Sequence, residues 1–313
     1  TAGTRNDKLK AVSNRFYRGD IADDLVEWYI ERGGFLRKED LAEHVTRVED
    51  PVAITYRGHT VFKCDTWTQV PYLNQTLRLL EGYNLKKMGF LSPDYIHVVT
   101  ESMKLALADR DEFYGDPLFA DVPLEELLSD EYTELRRKLI NMKTASQELR
   151  PGDPCNMKAL LEGGGKVFPN EGGTTTCVAA DKWGNVVVTT PSGLGSSAGS
   201  GGRTGVTHGS RLVMKYGKPF LAISVAGGDM QDQAALQLIL DVIDFDMDLD
   251  SAMNAIRFST QHFIGSFGQD PPKLGNLSLH EKIDKKTQDD LKNRGHKVEI
   301  VPYNIGGVAM LYI

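Results

Sequence analysis

Two glycines and three threonines, Gly172-Gly173-Thr174-Thr175-Thr176, open the alternating stretch "TTTCVAADKWGNVVVTT". A hydroxyl placed after a glycine pair can do more than favour a strand. Glycine has no Cβ, so the peptide before Thr174 can take the strained dihedrals needed for the Thr174 hydroxyl to attack the Gly173 carbonyl. That attack shifts the acyl group from nitrogen to oxygen, and water then frees a new amino terminus at Thr174. The freed α-amino group has a reference pKa of about 7.7 to 8.0 and can act as general base for its own hydroxyl. The competing reading is an ordinary strand, since threonine is β-branched and favours extended backbone. On the motif alone, the strand is the commoner outcome.

A second candidate lies in "SVAGGDMQDQAALQL", where Gly227 and Gly228 join the end of a strand to the start of a helix. Successive backbone N–H groups at a helix N-terminus suit a developing oxyanion. A plain turn before Asp229 as helix N-cap fits the same residues equally well. Ser192, in "TTPSG", would come beside the Thr174 amine if the hairpin folds back. Other patterns weigh less. Gly195-Ser196-Ser197-Ala198-Gly199 has the spacing of a nucleophile elbow, but the "GSGGRTG" after Ala198 is a poor helix start. These glycines also lack the lysine of a phosphate loop. The histidines show no metal spacing, and Cys64, Cys155 and Cys177 are odd in number and irregularly placed, which argues against a disulfide framework or a zinc site. No cofactor is called for. Asn74-Gln75-Thr76 and Asn276-Leu277-Ser278 match the glycosylation pattern.

The elements that must position these groups differ between the halves. From Lys8 to about Lys143 helical patterns dominate. "DIADDLVEWYIERGG" carries Ile21, Leu25, Trp28 and Tyr29 on one stripe and stops at Gly33-Gly34. "SPDYIHVVTESMKLALADRDEFYGDP" offers Ser92 as N-cap and Pro93 at the first helical position. Between them "PVAITYRGHTVFKCD" reads as a hairpin about Arg57-Gly58. From Thr174 strands take over: "TTTCVAAD" with "NVVVTT", "RLVMKYG" with "KPFLAISVAGG", then "HKVEIVP" and "GGVAMLYI". Helices interrupt them at "QDQAALQLILDVIDF" and "LDSAMNAIRF". The pattern is an α/β arrangement with much antiparallel pairing. Leu149 to Gly173, rich in glycine and proline, reads as an exposed connector that delivers the chain to Thr174.

Bulk properties exclude several classes. A chain of 313 residues can bury a substantial core, and 25% charged residues with a net charge of -7 make a globular protein with no basic stripe for nucleic acid. No apolar run is long enough for a membrane span. The chain opens on "TAGTRND", without methionine or signal region, so its natural start is expected to be missing or processed. The compartment, cytoplasmic or periplasmic and secreted, stays open.

Taken in order, "FYRGDIADDLV", "RGGFLRKEDLAEH", "YRGHTV", "LRLLEGYNL", "HVVTESMKLALADRDEFYGDP", the threonines leading into "DKWGN", "YGKPFLAISVAGGD" and "LILDVIDFDMDLDSAMNAIRF" resemble the γ-glutamyltranspeptidase family of N-terminal nucleophile hydrolases. The resemblance implies a four-layer αββα fold and a precursor that cuts itself between Gly173 and Thr174. Residues 1–173 would be large-subunit-like and 174–313 small-subunit-like, together one structural domain. Counting back from "DKWGN", the resemblance puts the nucleophile on Thr174, the oxyanion donors on Gly227 and Gly228, and a hydroxyl touching the nucleophile on Ser192. It implies a small γ-glutamyl or other acyl amide as substrate, with water or an amine as acceptor. A homo-oligomer is compatible with it.

Two departures bear on the substrate. Leu194 stands where the family usually has an asparagine that helps place the acyl group. The family's asparagine- and acid-rich segment, which grips an α-amino group, is replaced by "THGSRLV". Arginine suits a carboxylate and repels an ammonium, which speaks against recognition of a free γ-glutamyl α-amino group. Arg211, His208 and Thr190 are the expected substrate-binding residues. The front of the large subunit and a serine-bearing segment before "YGKPF" are also missing from the match, and a break in the sequence is expected between Arg211 and Lys215. Two alternatives follow: a cephalosporin-acylase-like or polyglutamate-processing amidohydrolase, and a relative that never matures and serves as a binding or structural protein.

Overall fold

The computed structural model describes residues 3–69, 71–161, 172–174, 177–189, 192–194, 211–266 and 271–313. These divide into two units, Thr1–Asp50 with Leu194–Gly199, and Pro51–Gly193 with Ser200–Ile313. The first contains α1 (Arg5–Tyr17), α2 (Asp20–Glu31) and α3 (Lys38–Glu43). A capping box starts α1: the Thr4 hydroxyl accepts from the Asp7 N–H while the Asp7 carboxylate accepts from the Thr4 N–H. Helix α2 is the one expected from Ile21, Leu25, Trp28 and Tyr29, and it ends just before Gly33, which takes φ 73°.

Beyond residue 50 the chain forms β1 (Val52–Tyr56), β2 (His59–Lys63), α4 (Pro71–Leu80), α5 (Leu85–Met88), α6 (Pro93–Phe113), α7 (Leu124–Leu127) and α8 (Asp130–Arg137). There follow β3 (Gly172–Thr174), β4 (Cys177–Ala180), β5 (Val186–Thr189), β6 (Ser192–Leu194), β7 (Arg211–Lys215) and β8 (Lys218–Ala226). The remainder is α9 (Met230–Ile243), α10 (Leu249–Asn254), β9 (Phe258–Ser259), β10 (Asn276–His280), α11 (Lys285–Asn293), β11 (Lys297–Val301) and β12 (Gly307–Tyr312).

Two hairpins seed the main sheet. Arg57 and Gly58 take φ 49° and 76°, and Tyr216 and Gly217 take φ 53° and 74°, the doubly positive turns whose twist matches that of the flanking strands. The sheet runs β1-β2-β7-β8-β12, antiparallel throughout. Strands from before and after Thr174 thus share one sheet, joined where β2 pairs with β7. Arg211 to Lys215 form one continuous strand, β7, paired with β2 on one side and β8 on the other.

In β8 the run Leu221–Val225 is buried without alternation, the pattern of a strand covered on both faces. Ser224 faces β5, its hydroxyl donating to the Thr189 carbonyl at 3.1 Å. Ile223 and Val225, on the other face by alternation, join the core shared with α9. The architecture is α/β, helices against a sheet with a second strand pair, β4–β5, beside β8 and β12.

Ser92 caps α6 as expected, its hydroxyl accepting from the Tyr95 N–H, with Pro93 at the first position. The connector differs from expectation. Pro151 and Gly152 are buried, because Asp109 of α6 accepts from the Gly152 N–H at 2.8 Å as well as from Tyr132 Oη at 3.1 Å and Arg136 Nη2 at 3.0 Å. A buried carboxylate needs several donors, and a main-chain amide brought in from the connector supplies one. Residues 162–171 lie outside the described part.

A second sheet, β11-β10-β9, contains a parallel pair, β10 with β11, joined by α11. Neither β10 nor α11 is among the elements expected from the sequence. "NLSLH" is short, and α11 buries only Thr287, Gln288 and Leu291. At the far side of β9, two glutamines one helical turn apart on α9 close the main chain. Gln237 exchanges hydrogen bonds with Phe258 N (3.0 Å) and O (2.8 Å), and Gln233 does the same with Thr260 N (2.9 Å) and O (3.0 Å).

His262 gives this region a pH dependence. Its Nε2–H donates to the Glu148 carbonyl at 3.0 Å while Nδ1 accepts from the Gly275 N–H at 2.8 Å, an arrangement that only the neutral ring satisfies. Burial is the main cause that lowers its pKa from 6.5 to about 4. The unfolded chain therefore takes up the proton first, so stability present above pH 6.5 is lost as pH falls toward 4. Urea unfolding followed over that window should show a loss on the order of 3 kcal/mol from this group, and His262→Gln should flatten the slope.

Candidate active site

The turn between β8 and α9 is the best-defined part of the site. Gly227 and Gly228 take φ 130° and 55°, values that side chains rarely allow. The carbonyls of both glycines are used, accepting from Met230 N and Gln231 N at 3.0 Å each. Their N–H groups donate to no acceptor among the described residues, and Gly227 is exposed while Gly228 is half-buried. The turn thus presents two adjacent donors at the positive end of a helix fourteen residues long.

Asp229 follows, and it does not cap the helix with its side chain. Its carboxylate turns away instead. Oδ1 accepts from Arg110 Nη1 at 2.8 Å, Oδ2 accepts from the Ser266 N–H at 2.8 Å, and the Ser266 hydroxyl also meets it. Arg110, from the last turn of α6, is fully buried. It also grips Asp111 through Nε (3.0 Å) and Nη2 (2.7 Å) and donates to the Ile264 carbonyl at 3.0 Å. The reading of Asp229 as a plain N-cap therefore fails, because a guanidinium outcompetes the helix's own amides for the carboxylate.

One turn further along α9, Asp232 is held from the sheet. Its Oδ1 accepts from Lys63 Nζ (2.6 Å), Arg211 Nη2 (2.6 Å) and Arg211 Nε (2.9 Å). Arg211 has no exposed surface, and its Nη1 has no hydrogen-bond partner among the described residues. The residue expected to meet a substrate carboxylate is therefore an interior one, because Asp232 lies opposite it and takes two of its three nitrogens. Burial, then the neighbouring Arg211, brings the Lys63 ammonium down to about 7, against the pull of Asp232. Lys63, Asp232 and Arg110 are given no role from the sequence, and Asp229 only that of a helix N-cap. The nearest signal is "ADRDEFYGDP", whose arginine reaches Asp229 from 119 residues away.

The threonine side of the site is described by its backbone. Strands β3 and β6 are hydrogen-bonded neighbours in a two-stranded sheet, so Gly173 and Thr174 lie on one strand and Ser192 and Leu194 on the next. Thr190, His208 and the Gly195–Gly199 pattern lie outside the described residues.

Residues 9–211 and 203–313 match the family model described as Gamma-glutamyltranspeptidase. The chain is 27% identical to the glutathione hydrolase proenzyme of Bacillus subtilis (strain 168), over 96% of this chain and 55% of that protein. It is 28% identical to the Acylase ACY 1 proenzyme of Pseudomonas sp. (strain SE83), over 93% of this chain and 53% of that protein. Among solved structures, that of LmbA2991HD superposes with a TM-score of 0.84 at 31% identity, over 99% of this chain and 61% of that one. The chain spans about half the length of the curated relatives it matches.

The Asp232 cluster yields a stability prediction. Asp232→Ala leaves the buried Arg211 guanidinium without its counter-ion and Lys63 without the group that keeps it charged, and should lower unfolding stability by about 3–5 kcal/mol, read from the urea midpoint. Adding Lys63→Met and Arg211→Leu to an Asp232→Leu background should recover most of that loss.

Proposed function

The chain belongs to the gamma-glutamyltranspeptidase family, and from that premise we propose that it is a self-processing amidohydrolase or acyltransferase with Thr174 as nucleophile. Processing starts with attack of Thr174 Oγ on the Gly173 carbonyl. The C–N bond breaks as the ester forms, and water cleaves the ester to leave an α-amino group on Thr174. In turnover that amine, uncharged, takes the proton of its own hydroxyl as Oγ adds to the substrate amide. The tetrahedral oxyanion is held by the N–H groups of Gly227 and Gly228. Its collapse passes the proton to the leaving amine and leaves an acyl-enzyme ester, which water hydrolyses or an acceptor amine captures. Ser192 orients Thr174 from the neighbouring strand, and Thr190 and His208 take part in substrate binding.

The observation that carries this reading is the Gly227-Gly228 turn, whose two N–H groups have no acceptor among the described residues, at the start of a buried helix in a chain whose β3 and β6 are paired. The acyl group we assign is γ-glutamyl, since one relative carries the name glutathione hydrolase. A second reading, a different acyl amide, is favoured by Leu194 and the "THGSR" segment, and a relative carries the name acylase. γ-Glutamyl anilides assayed against anilides of other acids separate the two.

Thr174→Ala in the full-length protein should give one uncut chain by denaturing mass spectrometry and turnover reduced about a thousandfold or more. A cut, active variant would overturn the assignment. The wild-type protein should show two fragments, one beginning at Thr174. Because the base is an amine with a reference pKa of about 7.7 to 8.0, kcat/KM should rise with pH through that range and then level off.

A further inference from the structure

We infer that Arg110 is a positioning residue for the two N–H donors of Gly227 and Gly228, acting through Asp229. The inference rests on reading that turn as the oxyanion site. A pair of glycines at positive φ has little stiffness of its own, so the direction of its N–H groups is set by whatever fixes the residues on either side. On one side β8 is fixed by its pairing with β12 up to Ala226. On the other, the first residue with a side chain is Asp229, and both of its carboxylate oxygens are tied: one to Arg110, the other to the Ser266 N–H.

Arg110 is itself held on several sides. It is buried at the end of α6, braced by Asp111 and the Ile264 carbonyl, and its guanidinium lies 5.0 Å from the Phe263 ring centroid. Asp111 Oδ2 in turn accepts from the Ile264 N–H at 2.8 Å, so the helix end and the 263–266 segment form one frame around the turn.

The same contact has an electrostatic side. An aspartate at a helix start ordinarily accepts from the first free amides of the helix. Here that would put the carboxylate's charge at the helix start beside the Gly227 and Gly228 donors, where it would repel a developing oxyanion. Arg110 draws the carboxylate away and neutralises it, leaving the helix end free to receive a developing negative charge.

The test uses the full-length protein with turnover shown to depend on Thr174. Arg110→Met should lower kcat roughly 10-fold or more with KM within about twofold, since the loss falls on the transition state. Arg110→Lys, which keeps the charge but not the fork of contacts, should fall between. The decisive variant is Arg110→Met combined with Asp229→Asn: removing the freed carboxylate should restore part of the lost kcat. Lys104→Met breaks a different buried ion pair on the same helix, with Glu101, and serves as the control for general destabilisation. Hydrogen exchange of the peptide spanning residues 221–232 should accelerate in Arg110→Met and Arg110→Lys but not in Lys104→Met. Unchanged kcat in a folded Arg110 variant, a loss equalled by Lys104→Met, or no recovery in the double variant would each overturn the inference. Should Arg110→Met fail to fold, Arg110→Lys carries both readouts. Absence of Thr174-dependent turnover in the wild type would instead sink the functional reading, and the exchange rates would still report whether Arg110 holds the turn.

Discussion

Helix α9 is buried on every side from Gln231 to Val242, and that single fact constrains the rest of the second unit. A helix with no wet face has to find internal partners for each polar side chain it carries. Asp229 meets α6, Asp232 meets β2 and β7, and Gln233 and Gln237 meet the chain at β9. The elements of the unit are placed by these demands as much as by apolar contact. Asp241 solves the problem differently. Neither of its oxygens has a hydrogen-bond partner among the described residues, and burial raises its pKa to about 8, so it sits in the core largely as the neutral acid.

What was legible in the sequence was local. Arg57-Gly58 and Tyr216-Gly217 specify hairpin turns through the dihedrals they allow, and Ser92-Pro93 announces a helix because cap and first turn are adjacent in the chain. The motif order also placed the chain in its family. What was not legible was the choice of partner over distance. Asp229 follows every rule for an N-cap, yet an arginine 119 residues earlier takes its carboxylate. Arg211 looks free to meet a substrate until Asp232 is seen opposite it, and Lys63 gives no hint that it joins them. No local rule reports which buried charge will be neutralised by which, and the exposed connector failed for the same reason once Asp109 claimed the Gly152 amide.

The main sheet also bears on what a cut before Thr174 would do. β1 and β2 precede that point and β7, β8 and β12 follow it, yet all are consecutive members of one antiparallel sheet. The hydrogen bonds between β2 and β7 cross the cut, as do the ion pairs from Lys63 to Asp232 and from Arg110 to Asp229. Two fragments produced there would stay together without any covalent link, and the frame around the glycine turn would still be supplied by both.

The glutamine pair on α9 has a further consequence. β9 is the outermost strand of its sheet, and an outer strand normally offers a row of open amides and carbonyls to any extended peptide that passes. At Phe258 and Thr260 those groups are already spent on Gln237 and Gln233, side-chain amides that mimic the next strand without being one. The sheet is closed at that edge from within. Another copy of the chain, or a stray unfolded segment, finds no template there on which to extend it.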